Sequence, residues 1–372
     1  MQIDLNSMDK SKKAYKVYSH MWSDDSRIPG KTCKTYYPKS KRDSNNSYSF
    51  EISGLSSEYL TTAKKLSRED KETIADQLIS IFKVNDEEKE NFKNKLIDAC
   101  SGSGREGAKI TTLHSSSLCA FLFFYNVSRD NRLSLEIEGK NIEFDEVFFE
   151  YQNEVIEGRN PSNVDVVLTG KDCEDKDIIL FLESKFSEYL SGGQANIAQE
   201  YLNQYPNIYN NPEDKPQKQT ILDKIGFEFK KNKNEENESF KHQIKIYNKT
   251  EEVYKIGPKK GSAYSEGIKQ MISHYIGIEN YLNKPDERCD SRIMPKDAKV
   301  YLAEIMFEFP FQKAKEQLAN YTNYYKDLAK ELNKLNENIH VCEEPLKYSL
   351  FIDKDFVNST IKNFYFGELG IK

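Results

Sequence analysis

Cysteine is scarce in this sequence and forms none of the spacings that bind zinc. Six cysteines are spread over 372 residues. No two of them make a C-x-x-C pair, so a zinc ribbon is not expected. We expect six reduced thiols without a disulfide framework, as in a protein of the cytoplasm.

Long apolar runs are missing as well. The first ten residues lack the apolar core of a signal peptide. The longest apolar run, residues 118–125, is far shorter than the roughly 20 residues that cross a bilayer. We therefore expect no membrane partner.

Motor motifs and excess positive charge are absent too. The chain has no P-loop, no G-x-G-x-x-G and no internal repeat, so ATP-driven translocation is not expected. A formal net charge of −6 argues against coating nucleic acid through bulk positive charge. A locally basic cleft is still compatible with this charge.

Two short apolar runs end in ionisable side chains. Residues 163–168 and 178–186 are rich in β-branched and aromatic residues, which predicts buried strands. The polar residues 169–177 between them predict a hairpin loop. Ionised side chains are costly to bury unless they are paired or bind a metal. Asp165, Glu183 and Lys185 therefore predict a functional site, whereas the alternative is a surface hairpin with a solvated Glu–Lys pair.

The spacing of these residues predicts their geometry. A hairpin that is symmetric about residue 174 places Asp165 directly opposite Glu183. Directly opposed residues share a face, with Cβ atoms about 4.5–5.5 Å apart, which suits two carboxylates gripping one divalent cation. Lys185 shares the face of Glu183 because side chains in a strand alternate. The strand is apolar on both faces at its start, so we expect it to be covered on both sides.

The constellation Asp165…Glu183-Ser184-Lys185 resembles the signature of the PD-(D/E)XK nuclease superfamily. The resemblance covers the two strands closely and residues 100–335 by order of elements. Residues 183–190 also resemble a group of bacterial restriction endonucleases. The pattern departs from the signature in one respect, because Val164 precedes Asp165 and the nearest proline upstream is Pro161. The resemblance implies an α/β fold with a restriction-endonuclease-like core, a central mixed β-sheet flanked by helices.

The resemblance also implies a chemistry for these residues. Asp165 and Glu183 would bind Mg²⁺, for which Mn²⁺ can substitute, and Lys185 would assist the attacking water. The superfamily often has a further acid, and Glu150 is the predicted third metal ligand, with Glu154 on the same strand face as the alternative. A half-exposed strand with a polar face explains the same pattern.

A predicted helix over residues 264–282 carries two more polar residues of interest. Gln270 matches the glutamine that members of the superfamily place near the active site on the helix after the Glu-x-Lys strand. His274 follows it at i+4 on the same side, and we interpret it as a core or rim histidine.

The chain divides into three predicted regions. Residues 1–100 form an N-terminal arm with helices, and residues 101–205 and 261–372 form the nuclease core. A short helix is predicted over residues 194–204. Residues 206–260, rich in Lys, Asn, Glu and Pro, form an insertion that is partly flexible.

The N-terminal arm combines aromatic residues with cations. Lys39, Lys41 and Arg42 lie among aromatics, a mixture that can contact DNA through phosphates and bases. The alternative is an extended arm that packs its aromatics on the core.

These patterns favour a magnesium-dependent DNA endonuclease of restriction or defence type. One alternative is a nucleic-acid-binding or scaffold protein that keeps a nuclease fold without turnover. A second alternative is a repair or recombination nuclease acting on branched or single-stranded DNA. A homodimer would suit cleavage of palindromic sites through matched symmetry.

Overall fold

The computed structural model describes most of the chain beyond residue 65. The described residues are 40–42, 48–50, 52–56, 59–60, 66–100, 110–112, 115–190, 192–209, 212, 219–232, 239–246, 249–284, 290, 292, 294–295, 297–309 and 312–368. Within these ranges, no helix is both long enough and apolar enough to cross a membrane. The described cysteines at 100, 119, 173 and 342 carry free thiols.

The α-helices of the described residues are α1 (Arg68–Phe82), α2 (Lys89–Ala99), α3 (Ser116–Phe124), α4 (Gln199–Gln204), α5 (Ile221–Lys224), α6 (Ser265–Asn283), α7 (Gln312–Leu332) and α8 (Ser359–Lys362). Local signals explain where several of them begin. Ser67 and Ser115 are the N-caps of α1 and α3, and each side-chain oxygen accepts a hydrogen bond from a backbone N–H of the first turn.

The strands are β1 (Ser40–Arg42), β2 (Tyr48–Phe50), β3 (Leu133–Ile137), β4 (Lys140–Asn153), β5 (Ser162–Asp172), β6 (Asp177–Lys185), β7 (Ala195–Ala198), β8 (Phe227–Lys230), β9 (Lys241–Ile246), β10 (Lys249–Pro258), β11 (Lys299–Met306), β12 (Ile339–Val341) and β13 (Leu346–Lys347). Seven of them form the central sheet, in the order β12-β11-β6-β5-β4-β3, with β13 also pairing with β11. The sheet is mixed, because β3 to β6 are antiparallel and β11 runs parallel to β6.

Helices cover both faces of the central sheet. Successive residues of a strand point to opposite faces. Glu183 and Ser184 of β6 therefore identify the helix that covers each face of the sheet. The Glu183 carboxylate accepts a hydrogen bond from His274 of α6, whereas the Ser184 hydroxyl donates to the carbonyl oxygen of Ser116 in α3. The predicted mixed sheet flanked by helices is therefore confirmed, and so is the covering of β6, which is buried from Ile178 to Lys185.

The hairpin of β5 and β6 has the predicted register. Val166 pairs with Leu182, so that Asp165 and Glu183 stand across from each other one position further along. The strands run further into the connection than predicted and leave a tight turn at residues 173–176. Asp172 explains the short turn, since its Oδ1 accepts hydrogen bonds from the backbone N–H groups of Glu174 and Lys176.

A second, four-stranded sheet lies between β6 and α6 in the sequence. The antiparallel strands β7, β8 and β9 all pair with β10. The helix predicted over residues 194–204 is wrong in its first part, because Ala195–Ala198 form β7 and only Gln199–Gln204 are helical. Pairing with a distant strand decides the conformation here, and a local pattern cannot report it.

Gly170 lies where the backbones of β4 and β5 approach each other closely. Its position faces a bulge in β4, and a Cβ atom there would lie 2.1 Å from the carbonyl oxygen of Glu143 and 2.6 Å from the Cα of Phe144. Because both neighbours are backbone atoms, we expect Gly170→Ala to lower the free energy of unfolding by about 1–3 kcal/mol. Urea denaturation of the full chain measures this change. Gly193→Ala is the matched control, since no heavy atom lies within 4 Å of its added Cβ. An equal effect of both substitutions would contradict the prediction.

Candidate active site

The centre of the site is an ion pair at the end of β6. The Lys185 Nζ donates hydrogen bonds to the Glu183 Oε1, at 2.6 Å, and to the Gln270 Oε1, at 2.9 Å. Glu183 is 3 % exposed and Lys185 is 2 % exposed, so the pair is a buried one. The structure thus brings together three of the residues that the sequence singles out, one of them from α6.

His274 also belongs to this cluster. Its Nε2 lies 2.9 Å from the Glu183 Oε2, and its Nδ1 lies 2.7 Å from the Ser162 Oγ. His274 is buried, as a core histidine would be. Our interpretation missed its contact with Glu183. The available signal was the i+4 spacing from Gln270, which places both side chains on one face of α6.

Asp165 contacts the same strand end through the backbone. Its Oδ2 accepts a hydrogen bond of 2.8 Å from the backbone N–H of Ser184. Burial raises the pKa of the Asp165 carboxyl well above its usual range, and the negative charges of Glu183 and Glu150 raise it further. Asp165 therefore holds its proton more readily than an ordinary aspartic acid.

The pKa of Glu183 moves in the opposite direction. Burial raises it, but the positive charge of Lys185 and the hydrogen bonds from Lys185 and His274 outweigh burial and lower the pKa to about 2. Burial lowers the pKa of Lys185, and the charge of Glu183 reverses this so that the pKa lies well above the usual range. Both members of the pair are therefore charged.

Of the two candidate third acids, Glu150 is the one beside Asp165. The register pairs Phe149 with Val166 and Tyr151 with Val164, which sets Glu150 across from Asp165. Glu150 has a φ of 49°, a left-handed conformation that is uncommon outside glycine. Glu154 lies after the end of β4.

Arg292 stabilises this unusual stretch of β4. Its guanidinium donates hydrogen bonds to the carbonyl oxygens of Phe149, at 2.8 Å, and Glu150, at 3.2 Å. It also donates to both carboxylate oxygens of Asp98 in α2 and to Asp290. Sequence patterns carry no signal for the contact with β4, because Arg292 is more than 140 positions from Phe149 and Glu150.

Glu304 is a further buried acid that the sequence analysis missed. It is fully buried on β11 and pairs in register with Glu183. Its Oε1 accepts a hydrogen bond of 2.7 Å from the Tyr321 hydroxyl, and its Oε2 has no hydrogen-bond partner in the described part of the chain. Burial raises its pKa to about 8. A glutamate within the apolar run of residues 300–309 was the available signal.

The donor atoms of the site suit a hard cation. Glu150, Asp165 and Glu183 offer carboxylate oxygens, the ligands that Mg²⁺ prefers. Across the described residues, however, no three His, Cys, Asp or Glu side chains are grouped closely enough to hold a metal ion. The Glu183 oxygens instead accept hydrogen bonds from Lys185 and His274.

The predicted DNA contacts of the arm stay predictions. Lys39 lies outside the described residues. Lys41 and Arg42 belong to β1, which pairs with β2, and only their backbone is described.

The site thus combines a buried Glu–Lys pair with an aspartate across a hairpin, within a mixed sheet covered by helices. The family model described as "Restriction Endonuclease associating with ARP" matches residues 56–284. The chain belongs to this family, and the description indicates a nuclease-type role. Neither a curated protein nor a solved structure matches the chain.

The raised pKa of Glu304 predicts a pH-dependent stability. Its carboxyl group is neutral in the folded chain up to about pH 8 and ionises from 4.5 upward when unfolded. Its contribution is fully present below pH 4.5 and is lost as the pH rises through 8. Glutamine mimics the neutral acid, so we expect Glu304→Gln to gain stability relative to wild type between about pH 5 and pH 9.

Urea denaturation across this pH range measures the difference. Glu316→Gln on α7, which changes an exposed glutamate, is the matched control. A stability difference between Glu304→Gln and wild type that is the same at every pH would contradict the prediction.

Proposed function

We propose that this protein is a metal-dependent endonuclease that cleaves phosphodiester bonds of DNA, of restriction or defence type, on a PD-(D/E)XK-like core. The observation that carries the proposal is the buried pair of Glu183 and Lys185 with Asp165 across the hairpin. A family described by restriction endonucleases supports it. Free thiols fit a cytoplasmic location.

Asp165 and Glu183 would hold Mg²⁺, or Mn²⁺ in its place, with Glu150 as the third ligand. When bound, the ion supplies Lewis-acid polarisation of the phosphate and a bound water of lowered pKa. The three acids lie on neighbouring strands β4, β5 and β6. Rigid strands suit this task, because catalytic groups need to be held within a fraction of an ångström.

Lys185 would orient the attacking water and stabilise negative charge that develops on the phosphate. Two acceptors, Glu183 and Gln270, hold its ammonium group, so the cation is positioned before any substrate arrives. Gln270 also comes from α6 and limits the freedom of the Lys185 side chain. The Tyr264 ring, with its centroid 5.9 Å from the Lys185 Nζ, packs on the same cation.

A second candidate function is DNA binding without cleavage. The observation that favours it is the orientation of Glu183, whose two oxygens already accept hydrogen bonds from Lys185 and His274. An ionised carboxylate has about four acceptor sites, so these bonds leave acceptor capacity for a cation. For that reason we favour the catalytic function.

Substitution of the central pair tests the proposed cleavage. We expect Glu183→Gln and Lys185→Met to reduce magnesium-dependent cleavage of plasmid DNA at least about a hundredfold. The first removes the charge of a proposed metal ligand, and the second removes the cation that would stabilise the reacting phosphate. The measurement is conversion of supercoiled plasmid, followed beside linear, branched and single-stranded DNA. These additional substrates distinguish a restriction-type enzyme from a repair or recombination nuclease.

The matched controls change the same residue types far from the site. Glu344→Gln and Lys334→Met remove surface ion pairs on exposed positions and should cleave like wild type. Full cleavage by a purified, folded Glu183→Gln protein would disprove the assignment of the site.

Metal binding is tested without turnover. We expect Mg²⁺ or Mn²⁺ to raise the thermal midpoint of the wild type by mass action and to leave the midpoint of Asp165→Asn unchanged. Differential scanning fluorimetry at increasing metal concentration measures both. Equal shifts in the two proteins would show that the ion binds elsewhere.

A further inference from the structure

We propose that Ser162 and His274 form a positioning pair that orients the Glu183 carboxylate toward the metal. The inference rests on the proposed function, since it assigns these residues a role in the same site. Neither residue is among the acids and the lysine to which the chemistry is assigned.

Glu183 is held from two directions. Lys185 donates to one carboxylate oxygen at 2.6 Å, and His274 contacts the other at 2.9 Å. Two donors on different oxygens fix the plane of the carboxylate as well as its position. Both donors are 2 % exposed, so water does not compete for these bonds.

We assign one tautomer to His274 within this pair. An ionised carboxylate only accepts hydrogen bonds, and Glu183 is paired with Lys185, so the His274 Nε2 carries the proton and donates. In this arrangement we assign the Nδ1 as the acceptor. The Ser162 hydroxyl, 2.7 Å away, donates to it. The partner of one ring nitrogen thereby sets the role of the other.

Ser162 and His274 lie on two different elements of the site. Ser162 is the first residue of β5, the strand that carries Asp165. His274 lies one turn after Gln270 on α6, which holds Lys185. The hydrogen-bonded series Ser162–His274–Glu183 therefore links β5 and β6, which carry the proposed metal ligands, to α6.

Hydrogen-bond partners that orient metal ligands have measurable effects. Their removal reduces metal affinity or activity about tenfold to a hundredfold. We expect a reduction of this size in Mn²⁺ affinity for Ser162→Ala and His274→Ala. Ser162→Thr keeps the hydroxyl and should restore affinity, while His274→Gln keeps a donor toward Glu183 and should lose less than His274→Ala.

The experiment uses the full chain labelled with ¹⁵N-histidine and isothermal titration with Mn²⁺. In the wild type, the His274 Nδ1 should show the shift of an unprotonated, hydrogen-bonded nitrogen, and Ser162→Ala should move it toward the non-bonded value. His274→Gln assigns the signal. Because the tautomer is measured without DNA or turnover, a failure here is distinguishable from a failure of the proposed nuclease function.

Two matched controls lie elsewhere in the central sheet. Ser134→Ala on β3 removes an exposed serine that bonds Asn141, and His340→Gln on β12 changes a histidine that contacts Glu138. Both should leave Mn²⁺ affinity and the His274 signal unchanged. A wild-type His274 that is protonated at Nδ1, or wild-type Mn²⁺ affinity in Ser162→Ala, would overturn the proposal. Covalent labelling of Ser162 by a fluorophosphonate would overturn it as well, because it would make Ser162 a nucleophile.

Discussion

The buried ion pair of Lys185 and Glu183 is the constraint on which the rest of the site depends. Two charges removed from water lose hydration worth several kcal/mol per ion, and this loss is offset only by good geometry and additional hydrogen bonds. Gln270 and His274 supply those bonds from one helix. The pair therefore fixes where α6 packs on the sheet, and a shift of that helix would leave a buried charge without its partner.

The surrounding acids set the electrostatic character of the site. Asp165 and Glu150 stand across from each other on β5 and β4. Burial raises the pKa of Asp165, and the charges of Glu183 and Glu150 raise it further. The backbone of Glu150 is held in a left-handed conformation, with Arg292 bonded to its carbonyl oxygen. Strained residues of this kind cluster at functional sites. Burial, repulsion and strain therefore meet in one region of the central sheet.

Much of the fold was predictable, because its signals are local. Residues 178–186 are apolar on both strand faces at their start, which predicts a strand covered on both sides, and β6 is such a strand. The symmetric hairpin predicts the register of Asp165 and Glu183, since a two-stranded unit needs only its turn to define pairing. The N-cap residue Ser67 marks the start of α1, a signal that lies within one helical turn. The strand β7 was not predictable, because Ala195–Ala198 adopt their conformation through pairing with β10.

The features of the candidate site also fall into those that the sequence determines and those that only tertiary packing decides. The sequence by itself determined the pairing of β5 with β6 and, with it, the facing positions of Asp165, Glu183 and Lys185, because period-two alternation and turn length act over few residues. The tertiary structure decided which helix face closes the site, that His274 contacts both Glu183 and Ser162, and that Arg292 donates to the carbonyl oxygen of Glu150. These contacts join residues between 91 and 142 positions apart, and only the packing of α6 and β4 against the hairpin brings them within hydrogen-bond distance.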